Sequence, residues 1–165
     1  MVLTKEVCES YSPSPMPTAN PHAFDFDLDR AISEQIVEKL EASPKLALQK
    51  NVGPQESGVY ALYHKNKLVY IGKASKETTK SKRTLRSRLN EHCGKISSRQ
   101  NITLAEMKCR YLTLNSEWWV FAAEFALATH YKPAWNLSGF GSKVPGSGRP
   151  GTHRVSHWNQ LFPPK

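Results

Sequence analysis

The sequence predicts a mixed α/β domain in which short strands and amphipathic helices share one core. Three observations predict it. Two short runs rich in Val, Ile, Leu and Tyr, GVYALYH and KLVYIGKA, are separated only by a polar tip at 64–66. A third strand-like run, MKCRYLTL, sets Cys109, Tyr111 and Leu114 among charged and polar neighbours. Helical periodicity recurs in three longer segments. With 165 residues, 39% of them hydrophobic, the chain suits one such domain plus some irregular sequence and is too short for two cores of ordinary size.

Composition excludes several classes. A charged fraction of 22% beside ample aliphatic and aromatic residues fits neither wholesale disorder nor a fibrous repeat. No apolar run approaches the roughly 20 residues that span a bilayer, and the first residues have neither a basic start nor an apolar stretch. Cys8, Cys93 and Cys109 are widely spaced and form no C-x-x-C pair, so neither a disulfide framework nor a zinc cluster is indicated, and a reducing cytoplasm is the expected location.

Charge is unevenly placed. Up to Ser57 there are 5 Lys/Arg against 9 Asp/Glu, and from Gly58 onward 18 against 5. Seven of those cations lie between Lys73 and Arg88, among them Lys82, Arg83 and Arg86, a density that attracts nucleic-acid phosphates through counterion release. The same density also suits a solvated loop and helix face. Charge alone distinguishes neither DNA from RNA nor binding from cutting.

Along the chain, residues 11–22 hold four prolines with little to bury, so 1–22 read as a disordered leader and 23–165 as the domain. From Asp29 to Ala42, Ala31, Ile32, Ile36, Val37 and Leu40 recur at helical spacing, with Pro44 at the exit. Residues 45–57 read as a connector with a Gly53-Pro54 turn. In the hairpin that follows, a three-residue loop with Asn66 in the left-handed region sets Tyr60 directly opposite Tyr70, both rings on one face. An ordinary aromatic cross-strand pair would look the same.

After the basic loop, Thr84 caps a helix to about Ser98 with Leu85, Leu89 and Ile96 on its apolar stripe. Arg88 and His92 border that stripe, while Glu91 and Lys95 point away. Buried polar groups cost free energy unless satisfied, so either the domain core or a ligand must satisfy this pair. Asn115 or Ser116 then caps the helix EWWVFAAEFALATHY, apolar nearly all round and expected to be mostly buried. Glu117 suits the first turn. Glu124 sits mid-helix among apolar residues and must be protonated, paired with a cation or bound to a metal. The tail from Pro133, dense in Gly, Pro, aromatic and basic residues, reads as an ordered wrap, with Trp135, Phe140, Trp158, Leu161 and Phe162 needing something to pack on. Arg149 and Arg154 suit a nucleic-acid surface.

Gly58-Val59-Tyr60, then Tyr70-Ile71-Gly72, an Arg on a helix, a mid-helix Glu and a following Asn136 together resemble the GIY-YIG nuclease superfamily. The run R-L-x-E-H from Arg88 to His92, the pair Glu124 and Asn136, and the tail G-F-G…P-G-S-G-R…S-x-W resemble one type II restriction endonuclease branch, whose members are homodimers cutting GC-rich six-base palindromes. The resemblance implies a three-stranded antiparallel sheet flanked by helices, with a catalytic set of Tyr60, Tyr70, Arg88, His92, Glu124 and Asn136 on one face. It also implies double-stranded DNA as substrate, a homodimer, and a partner methyltransferase at the same site.

Each residue then has a chemical role. Phosphodiester hydrolysis needs an aimed water, an acceptor for its proton and positive charge on the transition state. Tyr60 would deprotonate water or relay its proton to His92, provided Lys73 and His92 lower its pKa. Arg88 would hold the scissile phosphate, and Glu124 would bind magnesium, or another divalent cation such as manganese. Tyr70 would bond the phosphate or the water, and Asn136 would orient the Glu124 region. Lys73, Lys82, Arg83, Arg86, Arg149 and Arg154 are the expected DNA contacts. A repair or mobile-element nuclease and a non-cleaving DNA-binding module are the competing readings.

Overall fold

The computed structural model describes residues 28–76, 83–141 and 156–165. Helix α1 (Leu28–Ala42) is followed by strands β1 (Leu46–Ala47), β2 (Gly58–His64) and β3 (Lys67–Ala74), then α2 (Leu85–Ser97), β4 (Met107–Thr113), α3 (Glu117–Tyr131) and the short α4 (His157–Leu161). The strands form one antiparallel sheet in the order β1-β4-β2-β3. The mixed α/β class is as the sequence predicts. The sheet has four strands where three were expected, because Leu46 and Ala47 pair with Cys109 and Lys108. Two residues are too few to show any alternation in sequence.

The sheet separates two apolar layers. Tyr60, Leu62 and Tyr70 face α2 and the C-terminal aromatics, whereas Val59, Ala61 and Ile71 face α1 and α3. Central strand β2 is therefore covered on both sides, which is why GVYALYH reads as a continuous apolar run. On the α2 side, Trp135, Phe140, Trp158 and Phe162 pack ring against ring at centroid distances of 4.9–5.6 Å. Leu161 stays 47% exposed, contrary to expectation, because it lies on the outer side of α4.

The hairpin departs from the expected register. Lys65 and Asn66 take φ of 48° and 64°, a two-residue turn of the mirror-image kind that matches strand twist, so His64 pairs with Lys67. The register then shifts at Leu62/Tyr63, leaving Val69 as an extra residue in β3. Its carbonyl accepts the Trp135 N–H at 2.9 Å. Tyr60 consequently lies opposite Gly72, and Leu62 opposite Tyr70. Continuing the His64–Lys67 register without the bulge would set Tyr60 against Ile71 and throw Tyr70 to the other face. The bulge is what brings both tyrosines to one side.

Helix α3 has the predicted bounds but not the predicted burial. Val120, Ala123 and Leu127 are buried against α1 and the sheet, while Trp118, Phe121 and Phe125 are exposed. Cys93 and Cys109 are buried free thiols. No helix among the described residues is long and apolar enough to cross a membrane. The leader lies outside the described residues, as does the tail segment 142–155.

Candidate active site

Tyr60 projects from the middle of the sheet with no exposed surface, and its ring lies on Gly72. A Cβ at position 72 would come within 2.6 Å of the phenol oxygen, so the second tripeptide needs its glycine for room. The first needs Gly58 because any side chain there would run into the Leu112 carbonyl of β4. Tyr70 sits 6.1 Å from Tyr60, centroid to centroid, and a Cβ at Gly141 would collide with its phenol.

Helix α2 supplies the polar residues. Thr84 caps it by accepting the Ser87 N–H, and the buried stripe Leu85, Leu89, Ile96 turns His92 onto the sheet. His92 Nε2 lies 2.7 Å from the Tyr60 hydroxyl, with the Phe140 ring stacked on the imidazole at 4.9 Å. Burial, helped by the charges of Arg88 and Lys95, pushes the His92 pKa down to about 3, so the ring is neutral at physiological pH. Burial pushes Tyr60 well above its ordinary value, Tyr70 adds to the rise, and Arg88 opposes it. The expectation that nearby cations lower Tyr60 is therefore corrected. A neutral His92 adds no positive charge, Lys73 is engaged elsewhere, and desolvation outweighs Arg88. Tyr60 is a protonated phenol hydrogen-bonded to a neutral imidazole.

Arg88 and Glu124 open onto a shared cleft of about 260 Å³, also lined by Tyr70, Lys73, Ser75, Arg83, Phe121 and Gly141. Arg88 Nη1 is held by Glu91, one turn on, at 2.6 Å. Glu124 Oε2 pairs with the Lys73 ammonium, which also lies 4.3 Å over the Phe121 ring. The mid-helix carboxylate thus has a lysine partner. No group of three His, Cys, Asp or Glu side chains suited to a metal occurs among the described residues. Among the described residues Glu124 is the only carboxylate lining this cleft, a donor set that fits a hard cation completing its shell with phosphate oxygens and water and fits no all-protein cage.

Other predicted site residues take different places. The Asn136 amide bonds the backbone of β3: it accepts the Ile71 N–H and donates to the Ile71 carbonyl, both at 2.9 Å, closing the open edge of β3 beside Tyr70 and Gly72. Arg86 donates from Nε to the Gly53 carbonyl at 2.9 Å and does not line the cleft, whereas Arg83 does. Lys95, expected to point to solvent, donates to the Phe140 carbonyl and lies 4.8 Å over the Phe140 ring, fixing the ring that stacks on His92. Lys82, Arg149 and Arg154 lie outside the described residues.

One cluster had no sequence signal. Glu117 at the start of α3 accepts from Ser57, Ser75 and the Lys76 N–H, tying the ends of β2 and β3 to the helix that carries Glu124. In sequence it is visible only as an acid in a first turn.

The small antiparallel sheet flanked by helices is consistent with a GIY-YIG domain, and the family comparison returns one. The model of the Eco29kI GIY-YIG domain, a restriction endonuclease family, matches residues 66–165, and the chain belongs to that family. The matched stretch begins inside the hairpin, so Tyr60 takes its place through the pairing of β2 with β3. No curated protein matches the chain.

Proposed function

We propose that the protein is a type II restriction endonuclease that hydrolyses double-stranded DNA at a specific GC-rich palindrome, acting as a homodimer. The observation that carries this reading is the cleft shared by Tyr70, Arg88 and Glu124, with the buried Tyr60–His92 hydrogen bond packed against Tyr70. A scissile phosphate enters between Arg88 and Lys73, where the Arg88 fork and the lysine ammonium stabilise charge growing on its oxygens. The attacking water gives its proton to the Tyr60 oxygen as the phenol proton passes to His92 Nε2. Phosphate beside Arg88 offsets one of the charges that depress His92, which makes the imidazole a better acceptor once substrate is bound. Tyr70 faces the same cleft and bonds the phosphate or the water.

Glu124 would hold a magnesium or manganese ion, which when bound supplies positive charge to the leaving oxygen. Arg83 supports the DNA backbone beside the cleft, and Lys82, its neighbour in sequence, adds charge to that contact. Base reading falls to Arg149 and Arg154, since an arginine fork matches the two acceptors of guanine. Asn136 acts through the backbone of β3, holding Tyr70 in register. Arg86 contributes charge beside the DNA while its Nε holds the Gly53 loop. A methyltransferase of the same specificity would protect host DNA, in the cytoplasm that the cysteine pattern suggests. Digesting phage and plasmid DNA with the purified chain, with magnesium or with chelator, and sequencing the ends tests this reading. Discrete metal-dependent double-strand ends at one palindrome are expected; intact DNA overturns it.

A further inference from the structure

Helix α3 carries more apolar surface than the domain uses. Trp118, Phe121 and Phe125 are 58%, 51% and 66% exposed, and their i, i+3, i+7 spacing puts them on one face with Ala122 and Thr129. Trp119 flanks them at 46% exposed, its ring 4.9 Å from that of Trp118. At about 200 Å² per aromatic side chain, these four rings leave roughly 450 Å² in the open, the size at which a patch on a monomer marks an interaction site. It is more than half of the roughly 800 Å² that each partner gives to a standard interface.

We infer that this aromatic ridge is the surface on which a second copy of the chain docks, α3 against α3 in antiparallel contact. The inference rests on the homodimer proposed above and assigns its surface. Three properties of the ridge choose this occupant. None of its five central residues is charged, so it offers nothing to DNA phosphates, although the chain from Gly58 onward is strongly basic. An apolar face of this kind complements itself, and a two-fold axis presents it to an identical ridge. It is also continuous with the catalytic cleft, since Phe121 belongs to both and Glu124 lies one turn along. A two-fold axis perpendicular to two antiparallel α3 helices turns both clefts to the same side. With helix axes about 8–10 Å apart, one duplex can then lie across both. The parallel arrangement would open the clefts to opposite sides.

The test is sedimentation of the full-length chain without DNA at tens of micromolar protein. The wild type is expected at twice the 18.6 kDa chain mass and Phe125→Glu at the single mass, still folded with a cooperative melting transition. A monomeric wild type overturns the inference, as does a Phe125→Glu protein that remains dimeric. Should Phe125→Glu not fold, Ala122→Cys in a Cys8→Ser background decides. Cys93 and Cys109 are buried, so a short bismaleimide must yield a covalent dimer through the ridge, and its absence overturns the inference. Intramolecular cover by another part of the chain, or a ridge reserved for DNA, appears in both assays as a monomer. Cleavage is not read in either assay. A protein that dimerises through α3 and cuts no DNA would end the nuclease reading and leave this inference standing.

Discussion

The Tyr60 phenol and Nε2 of His92 lie 2.7 Å apart in a buried contact that joins the centre of the sheet to α2. In the proposed mechanism this contact ties proton transfer to packing. His92 is held there by Phe140 stacked on its ring, and Phe140 is in turn held by Lys95. Tyr60 is held by the absence of a side chain at Gly72.

Gly72→Ala is expected to lower cleavage at least tenfold and to destabilise the fold by about 1–3 kcal/mol, since the new methyl overlaps the Tyr60 phenol and crowds Tyr70. Gly94→Ala is the control. It lies inside α2 with nothing near the added methyl, and is expected to stabilise by about 1 kcal/mol with cutting unchanged. Chemical denaturation and plasmid cleavage on both variants check the pair.

Glu124→Gln is expected to abolish magnesium-dependent cleavage while DNA binding, measured by filter retention or gel shift, survives. The change removes the candidate metal ligand and leaves Arg88, Lys73 and Arg83 in place. Full cleavage by this variant would end the assignment of Glu124 to a metal.

Arg88→Lys is expected to leave cleavage at least a hundredfold down under single-turnover conditions. The compact ammonium cannot reproduce a planar fork that meets the phosphate while held by Glu91. Near wild-type cutting would reduce Arg88 to a generic charge.

Stability should carry the signature of His92. The unfolded ring takes up its proton near pH 6.5 and the folded one only near 3, so between these values the unfolded chain binds more protons. The stabilising contribution is therefore whole above pH 6.5 and is lost as pH falls towards 3, a few kcal/mol over the window. Urea midpoints at pH 7 and pH 5 are expected to differ more for the wild type than for His92→Gln. Equal differences would show that the ring protonates in the folded state.

The sequence disclosed the elements of this site more fully than their contacts. Helical spacing placed His92 on the buried side of α2, and the composition of α3 singled out Glu124, because period and burial are local properties. Registers and partners depend on other parts of the chain. Nothing near Val69 announces a bulge whose free carbonyl is met by Trp135, yet that bulge decides which face Tyr70 takes. The Asn136 amide pairs with a strand edge 65 residues earlier, and the lysine that answers Glu124 comes from β3. In α3, apolar residues all round read as burial, whereas one face was left open.

Single-turnover cleavage of a cognate duplex by Tyr60→Phe and His92→Ala across pH 6–9.5 tests the proton path most directly. Tyr60→Phe is expected to be severely impaired at every pH, because it removes the hydroxyl that is hydrogen-bonded to His92 Nε2. His92→Ala is expected to recover in part as pH rises and hydroxide or tyrosinate takes over the acceptor's work. Wild-type rates from Tyr60→Phe would contradict the account and make the phenol a packing residue in an aromatic pair.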